Sequence, residues 1–185
     1  MINIRHANIS EKEKTYRWLC LSDTANLHMG IPDYPESPIP DWVQFQNEFE
    51  DFYYLESGRQ KGSMMIIESD KEEIGCLCYA CFHLRPDSAE LDIWLKEKRY
   101  CGKGFGPQAL HLLVQYVAEK QNVKKFIIRP SEKNIRAIAA YEKVGFIRTR
   151  NKENTIRKYL KHTYLKKHGA GDYGFRNTAV LIMEK

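Results

Sequence analysis

Residues 89–108 constrain this chain more than any other stretch. Ala89-Glu-Leu-Asp-Ile-Trp-Leu95 has the composition of a strand, Lys96 to Tyr100 is polar, and Cys101-Gly-Lys-Gly-Phe-Gly-Pro-Gln108 is a glycine turn. The apolar residues that follow, Leu110, Leu113, Val114 and Val117, stand at helical spacing. A strand that runs through glycines into a helix builds an anion site. The first-turn N–H groups have no partner inside the helix, and they lie at the positive end of its dipole. Glycine permits positive φ and a close approach of the backbone, so the turn can cradle a phosphate or diphosphate. Pro107 falls in the first turn, where its missing N–H costs nothing.

The spacing rules out two nucleotide sites. There is no Gly-x-x-x-x-Gly-Lys-Ser/Thr, and Gly102, Gly104 and Gly106 alternate instead of following Gly-x-Gly-x-x-Gly. An ordinary glycine-rich strand–helix connection is the plain alternative.

A chain of 185 residues predicts one domain, spanning 1–185. It has no apolar run of about 18 residues, so no membrane span is expected, and its N-terminus has no apolar signal core. The five cysteines are an odd number. Cys76, Cys78 and Cys81 share one strand-like run without histidine at finger spacing, which predicts a reduced, cytoplasmic protein without a metal site. The net charge of +5 suits a polyanionic ligand without requiring nucleic acid.

Along the chain, residues 2–7 read as a first strand. Ser10 with Glu13 forms a capping box that should open a helix burying Tyr16, Leu19 and Cys20. Residues 23–41 are a Pro/Gly/Asp-rich loop ending in Asp41, an N-cap for a second helix with Trp42, Val43, Phe45, Phe49 and Phe52. Together, residues 23–60 make a flap suited to substrate contacts. Residues 63–67 and 74–84 read as a hairpin about Ser69-Asp70-Lys71-Glu72, and 89–95 as the third antiparallel strand. A helix at 108–120 and a strand at 123–129 follow. Next comes a helix at 134–144 burying Ile135, Ile138, Ala139 and Tyr141, with Gly145 as its C-cap. Strands at 146–149 and 178–183 close the pattern. The order predicts an α/β (α+β) domain with a mixed central sheet of about seven strands and helices on both faces. Between the last two strands, residues 150–172 read as an inserted basic amphipathic helix. Ile156, Tyr159, Leu160 and Tyr164 lie on one side, among Arg157, Lys158, Lys161, Lys166 and Lys167. A solvated surface helix is the plain reading; an RNA- or phosphate-binding face and an oligomer contact are the others.

The glycine turn resembles the acetyl-coenzyme A loop of the GNAT N-acetyltransferases, Arg/Gln-x-x-Gly-x-Gly/Ala. Arg99 to Gly104 fits it by letter. Cys101 to Gly106 fits by position, since its last glycine abuts the helix, with Cys101 in place of Arg or Gln. Downstream, Asn134-Ile-Arg-Ala-Ile-Ala-Ala-Tyr-Glu-Lys-Val-Gly-Phe146 matches the motif that closes the coenzyme A site in that superfamily. Asn134 and Tyr141 are two helical turns apart and so share a face. A helix cap and a core aromatic are the plain readings of these two. The resemblance covers at least residues 62–146.

The resemblance implies a GNAT-like sheet whose two parallel strands, 89–95 and 123–129, splay at a bulge to form the cofactor cleft. It implies main-chain pairing of Ile93, Trp94 and Leu95 with the pantetheine. It places the diphosphate on the loop of Cys101, Gly102, Lys103, Gly104, Phe105 and Gly106, and puts Asn134 and Lys143 beside the cofactor. Tyr141 would protonate the departing thiolate. Glu90 and Asp92 stand two apart on one strand and so face the same side. They are the candidate bases for the amine, with Asp92 slightly preferred. The implied reaction is direct acetyl transfer from acetyl-coenzyme A in a ternary complex, with no covalent enzyme intermediate on Cys101 and no metal.

The sub-branch looks like the aminoglycoside 6′-N-acetyltransferases, which would make antibiotic resistance a role. It also resembles the ribosomal-protein N-acetyltransferases, whose acceptor is a peptide amine. Arg129 stands where aspartate is common, and the basic insert is long for the aminoglycoside enzymes. Asp33, Glu36, Asp41 and Glu48 would favour a cationic acceptor, whereas the insert would disfavour one. The expected partners are a small-molecule or peptide amine, without membrane, as a monomer or homodimer. A non-catalytic coenzyme A-binding or RNA-associated module is the rival of a different class.

Overall fold

The computed structural model describes residues 1–25, 39–170 and 173–185. Most of the loop read at 23–41, including Asp33 and Glu36, and Asp172 of the insert lie outside the described residues.

The strands are β1 (Ile2–His6), β2 (Gly62–Ser69), β3 (Glu72–Ala80), β4 (Ser88–Leu95), β5 (Lys125–Ile128), β6 (Ile147–Arg148) and β7 (Leu181–Glu184). They form one seven-stranded sheet in the order β1-β2-β3-β4-β5-β7-β6. Only β4 and β5 are parallel; every other pairing is antiparallel. The β2–β3 hairpin turns through Asp70 (φ 49°) and Lys71 (φ 72°), the paired left-handed residues of a tight primed turn whose twist matches the strands.

Alternation along the strands gives the sheet two apolar faces. On one, Met65, Ile67, Leu77, Tyr79 and Leu91 meet α3 (Phe105–Gln121) and α4 (Ile135–Val144). Helix α3 buries Ala109, Leu110, Leu113, Val114 and Val117. Each large apolar side chain buried contributes roughly 1.5–3 kcal/mol. Together they outweigh the roughly 1 kcal/mol that Gly106 costs inside the helix. On the other face, Met64, Ile66, Cys76 and Trp94 pack with Trp18 and Leu19 of α1 (Lys12–Cys20). Tyr16, Cys20 and Phe45 join α1 to α2 (Trp42–Glu48).

Several local expectations shift. The capping box is Asn8 with Glu11: Asn8 Oδ1 accepts from Ser10 N, and Glu11 accepts from Asn8 N. Arg5 and Lys14 hold Glu11 in place, so the box forms two residues before the Ser10–Glu13 pair. Asp41 caps α2 as expected, accepting from Gln44 N at 2.8 Å. In α4 only Ile138 and Tyr141 of the four expected residues are buried. Ile135 is 75% exposed and Ala139 is exposed, because the helix meets the core only through its later turns. Gly145 ends it with φ 107°.

The insert is not one surface helix. Leu160 adopts extended backbone and divides it into α5 (Lys152–Tyr159) and α6 (His162–His168); α7 (Gly174–Asn177) follows. Ile156, Tyr159 and Leu160 are essentially fully buried with Ile127 and Val180, forming a second core on the sheet face of Trp94. Main-chain bonds stitch it to the β3–β4 connection: Arg85 N to Tyr159 O at 2.8 Å, and Lys161 N to His83 O at 3.0 Å. Arg157, Lys158, Lys161, Lys166 and Lys167 remain exposed.

Candidate active site

The parallel pairing of β4 with β5 stops early. It covers Ser88↔Lys125, Ala89↔Phe126 and Glu90↔Ile127. Beyond Glu90, β4 runs on to Leu95 paired with β3 alone. The expected cause was a bulge, but β4 keeps an unbroken register with β3, and the register shift in this sheet lies at Ile67/Glu68 of β2. The gap opens because β5 ends at Ile128 and the chain leaves through Arg129 and Pro130, which has no N–H to pair.

Lys96 N donates to Ile74 O at 3.0 Å, which sets the alternation of the ladder. Asp92 and Trp94 therefore give their main chains to β3, while Leu91, Ile93 and Leu95 turn theirs towards the gap. Of the three expected edge residues, Trp94 contributes a buried ring rather than main chain. Ile93 N donates to Asp92 Oδ1 at 2.8 Å, and Leu95 O accepts from Thr24 Oγ1 at 2.7 Å.

The glycine turn closes one end of this gap. Gly102 (φ 76°) and Gly104 (φ 83°) are left-handed, and Gly104 is the N-cap of α3. The register beginning at Cys101 is thus the one that abuts the helix. A methyl group at Gly106 would meet only Ile93 Cδ1, at 3.8 Å, and one at Gly102 nothing within 4 Å. The turn's inner surface is open space beside the first N–H groups of a 17-residue helix. That fits a diphosphate. Of the predicted loop residues, Cys101, Gly102, Gly104 and Gly106 line the cleft. Lys103 is exposed and Phe105 packs against the core.

The cleft has a volume of 610 Å³ and brings together Glu90, Asp92, Ile93, Trp94, Leu95, Asn134, Tyr141 and Lys143 with the glycine turn. Asn134 Oδ1 accepts from Ala137 N at 3.2 Å and so caps α4 while lining the cleft. Tyr141 is 3% exposed. Burial first, and then the charge of Asp92, push its phenol well above the ordinary range. It therefore keeps its proton at neutral pH and can donate it.

Glu90 and Asp92 share a face, as their spacing requires, but their surroundings differ. Arg129 grips Glu90 with both arms, Nε to Oε1 at 2.6 Å and one terminal nitrogen to Oε2 at 2.8 Å. His83 Nε2 donates to Oε2 at 2.6 Å. Burial alone would raise this carboxyl, but the charge of Arg129 and the bonds from His83 and Arg129 outweigh it and hold it at about 2. Glu90 is a fixed anion with its lone pairs engaged and does not suit the role of base. Arg129 also donates to Ala170 O at 2.6 Å, which ties the insert to the cleft floor. His83, between Phe82 and Tyr164 at centroid distances of 4.7 and 4.6 Å, had no local signal in the sequence.

Comparison with known proteins bears on the fold and the family. Residues 2–147 match the family described as acetyltransferase (GNAT) domain. A spermine/spermidine N(1)-acetyltransferase of Bacillus subtilis (strain 168) is 39% identical over 56 residues, 30% of this chain and 37% of that protein. The match thus spans little more than a third of the curated relative. Among solved structures, aminoglycoside acetyltransferase AAC(6')-Ib in complex with coenzyme A superposes with a TM-score of 0.69 at 20% identity, covering 100% of this chain and 95% of the other. The ribosomal alpha-N-protein acetyltransferase RimL, also with coenzyme A, gives 0.69 at 19% identity over 99% and 93%. Spermidine N-acetyltransferase of Vibrio cholerae with coenzyme A and spermine gives 0.68 at 13% identity over 99% and 95%. With more than half of its length matched by the family and its sheet split at the same place as its glycine-capped helix, this chain belongs to the GNAT acetyltransferases.

Proposed function

We propose that the protein transfers an acetyl group from acetyl-coenzyme A to a primary amine, by direct attack within a ternary complex. The observation that carries this reading is a buried, proton-holding phenol, Tyr141, in the field of a carboxylate, Asp92, across a gap bounded by the β4 edge and the glycine-capped end of α3.

When bound, acetyl-coenzyme A supplies the activated acyl group. Main-chain N–H groups of Lys103, Gly104 and Gly106 would hold its diphosphate, Lys143 and Cys101 would flank it, and the edge of Ile93 and Leu95 with Asn134 would hold its arm. Asp92 accepts the proton that the attacking amine must lose, directly or through water. Tyr141 gives its proton to the leaving sulfur. Such proton transfers each contribute about 10²–10⁴ in rate. Glu90, with its charge already met by Arg129 and His83, orients the floor of the site and takes no proton. Burial pushes the thiols of Cys78 and Cys101 upward, so neither is a ready nucleophile, and direct transfer needs none. The relatives' names speak of aminoglycosides, polyamines and a ribosomal protein. A primary amine is what these acceptors have in common.

Two measurements test the reading together. Acetyl-coenzyme A should raise the melting temperature, by the equivalent of about 2.7 kcal/mol at a hundred times its Kd. Free thiol should then appear when an amine is added. A protein that shows neither the shift nor the thiol is not an acetyltransferase.

A further inference from the structure

We propose that Tyr53 is a contact residue for the acceptor, its hydroxyl hydrogen-bonding the molecule whose amine is acetylated. This rests on the acetyltransferase reading and assigns a residue to the acceptor half of the site.

The tyrosines of this chain differ in what their hydroxyls meet. Tyr16 donates to Pro40 O, Tyr79 to Arg59 O and Tyr159 to Glu184, while Tyr54 pairs with Thr15 and Tyr116 with His6. Among the described residues, the hydroxyls of Tyr53 and Tyr141 have no such partner, and both rings line the cleft. A tyrosine taken out of water ordinarily finds a partner for its O–H. In the proposed reaction Tyr141 meets the leaving sulfur. Tyr53 has the same unmet need elsewhere in the cleft.

The two phenols lie on opposite faces of the sheet. Tyr141 belongs to the core under α3 and α4, the side of the glycine turn. Tyr53 packs against Met64, Ile66, Cys76 and Trp94 on the other face. Alternation along β4 puts Asp92 on that face too, since Leu91 meets α3 and Trp94 does not. Cys78, which pairs with Asp92 in the register of β3 and β4, packs there as well. An amine that gives its proton towards Asp92 therefore approaches from the side of Tyr53.

The ring of Tyr53 is held from several directions. Phe52 stacks on it at 4.5 Å and Phe49 tilts against it at 5.0 Å. Gly62 leaves room for it: a Cβ there would meet Tyr53 Cε1 at 3.0 Å. Gly62 pairs with Ala80, and Ala80 with Glu90, so the ring edge stands in the row of Glu90, one side-chain step from the row of Asp92. The segment before it is anchored by the buried Lys12, whose ammonium donates to Gln46 O at 3.1 Å, Phe49 O at 2.5 Å and Asp51 Oδ1 at 2.7 Å. A side chain fixed in this way, with its polar tip unpaired in a cavity, is preorganised for a ligand. Burial first, and then the neighbouring Cys78, Glu90, Tyr164 and Asp92, push the phenol upward. It is thus a neutral hydroxyl that can give and accept a hydrogen bond, and not a base.

The test is Tyr53→Phe in the full chain, which removes one oxygen and keeps the ring. Thiol release is followed with spermidine, kanamycin, phenethylamine and trialanine, and the melting temperature and the Kd of acetyl-coenzyme A are measured alongside. For each amine that the unaltered protein acetylates, KM should rise about fivefold with little change in kcat, as expected when one hydrogen bond made equally in ground and transition states is lost. The melting temperature and the acetyl-coenzyme A Kd should stay as they were, because the hydroxyl has no protein partner to lose. An unchanged KM overturns the inference and leaves the acetyltransferase reading standing, since the phenol then meets only water. A higher KM that comes with a lower melting temperature, or with equally weakened acetyl-coenzyme A, also overturns it, because the hydroxyl then serves the shape of the cleft. Thiol release with none of the four amines removes both readings.

Discussion

The two walls of the cleft are made of different material. One is main chain: the β4 edge beyond Glu90 and the glycine end of α3, where shape and dipole do the work and side chains must stay out of the way. The other is side chain: Phe49, Tyr53, Phe82, His83 and Tyr164, with Arg129 bridging Glu90 and Ala170 O at its base. A main-chain wall recognises what all of its ligands share, here an anionic group and an amide-bearing arm. A side-chain wall can change with each substitution and so, under the proposed function, would set which acceptor enters. The cofactor side of such a protein is a property of its fold, and the acceptor side a property of this chain.

The difference can be broken or sharpened by mutation. The largest effect belongs to the group between the walls. Tyr141→Phe should lower kcat by about 10²–10⁴ while acetyl-coenzyme A binds with nearly unchanged Kd, measured by thiol release and calorimetric titration; equal turnover would end the proton-donor role. Next, Arg129→Met leaves Glu90 buried without its cation. It should cost about 3–5 kcal/mol in urea unfolding, and a loss below about 1 kcal/mol would show that the side-chain wall is held by something else. The same pair gives a pH dependence. The carboxyl of Glu90 lies at about 2 in the folded protein against an ordinary 4.5. Its contribution is therefore complete above about pH 4.5 and disappears as pH falls towards 2. Arg129→Met should flatten that part of the acid unfolding curve.

On the main-chain wall, two neighbouring substitutions should act in opposite directions on stability. Gly104→Ala places a side chain at φ 83° and should cost about 1–2 kcal/mol. Gly106→Ala meets only Ile93 Cδ1 and should stabilise the helix by up to about 1 kcal/mol. Gly106→Ala should still weaken acetyl-coenzyme A binding, because its methyl group would occupy the space proposed for the diphosphate. If it is more stable and binds equally well, the anion site is elsewhere. The smallest effect is on the outer face of the insert. Arg157 pairs with Glu153 at 2.7 Å with both side chains largely exposed, so Arg157→Ala should change stability by no more than about 0.5 kcal/mol.

What could be read in advance follows the same division. The glycine turn, the strand before it and the Asn134–Tyr141 helix are contiguous patterns, and each sits where its spacing placed it. Glu90 and Asp92 could be put on one face from their separation alone. Telling them apart required His83, seven positions away, and Arg129, 39 positions away, and no local pattern joins these three. The first capping box shows the limit at short range. Asn8/Glu11 and Ser10/Glu13 have the same spacing, and the choice is made by Arg5 and Lys14, whose positions depend on the tertiary fold. The insert was legible as amphipathic, but its break at Leu160 was not. That break depends on the isolated bridge between Leu84 and Leu160, a partner 76 residues upstream that helical periodicity cannot reveal.

The strand order β5-β7-β6 has a consequence for how the protein is made. Strand β5 sits in the middle of the sheet, yet one of its two neighbours is the last strand in the chain. While the ribosome is still adding residues 129–180, β5 has an open edge, and the buried faces of Phe126 and Ile128 have only part of their cover. The nascent protein thus passes a long wait with a sticky, half-built sheet, a situation in which chaperone protection or slower elongation matters.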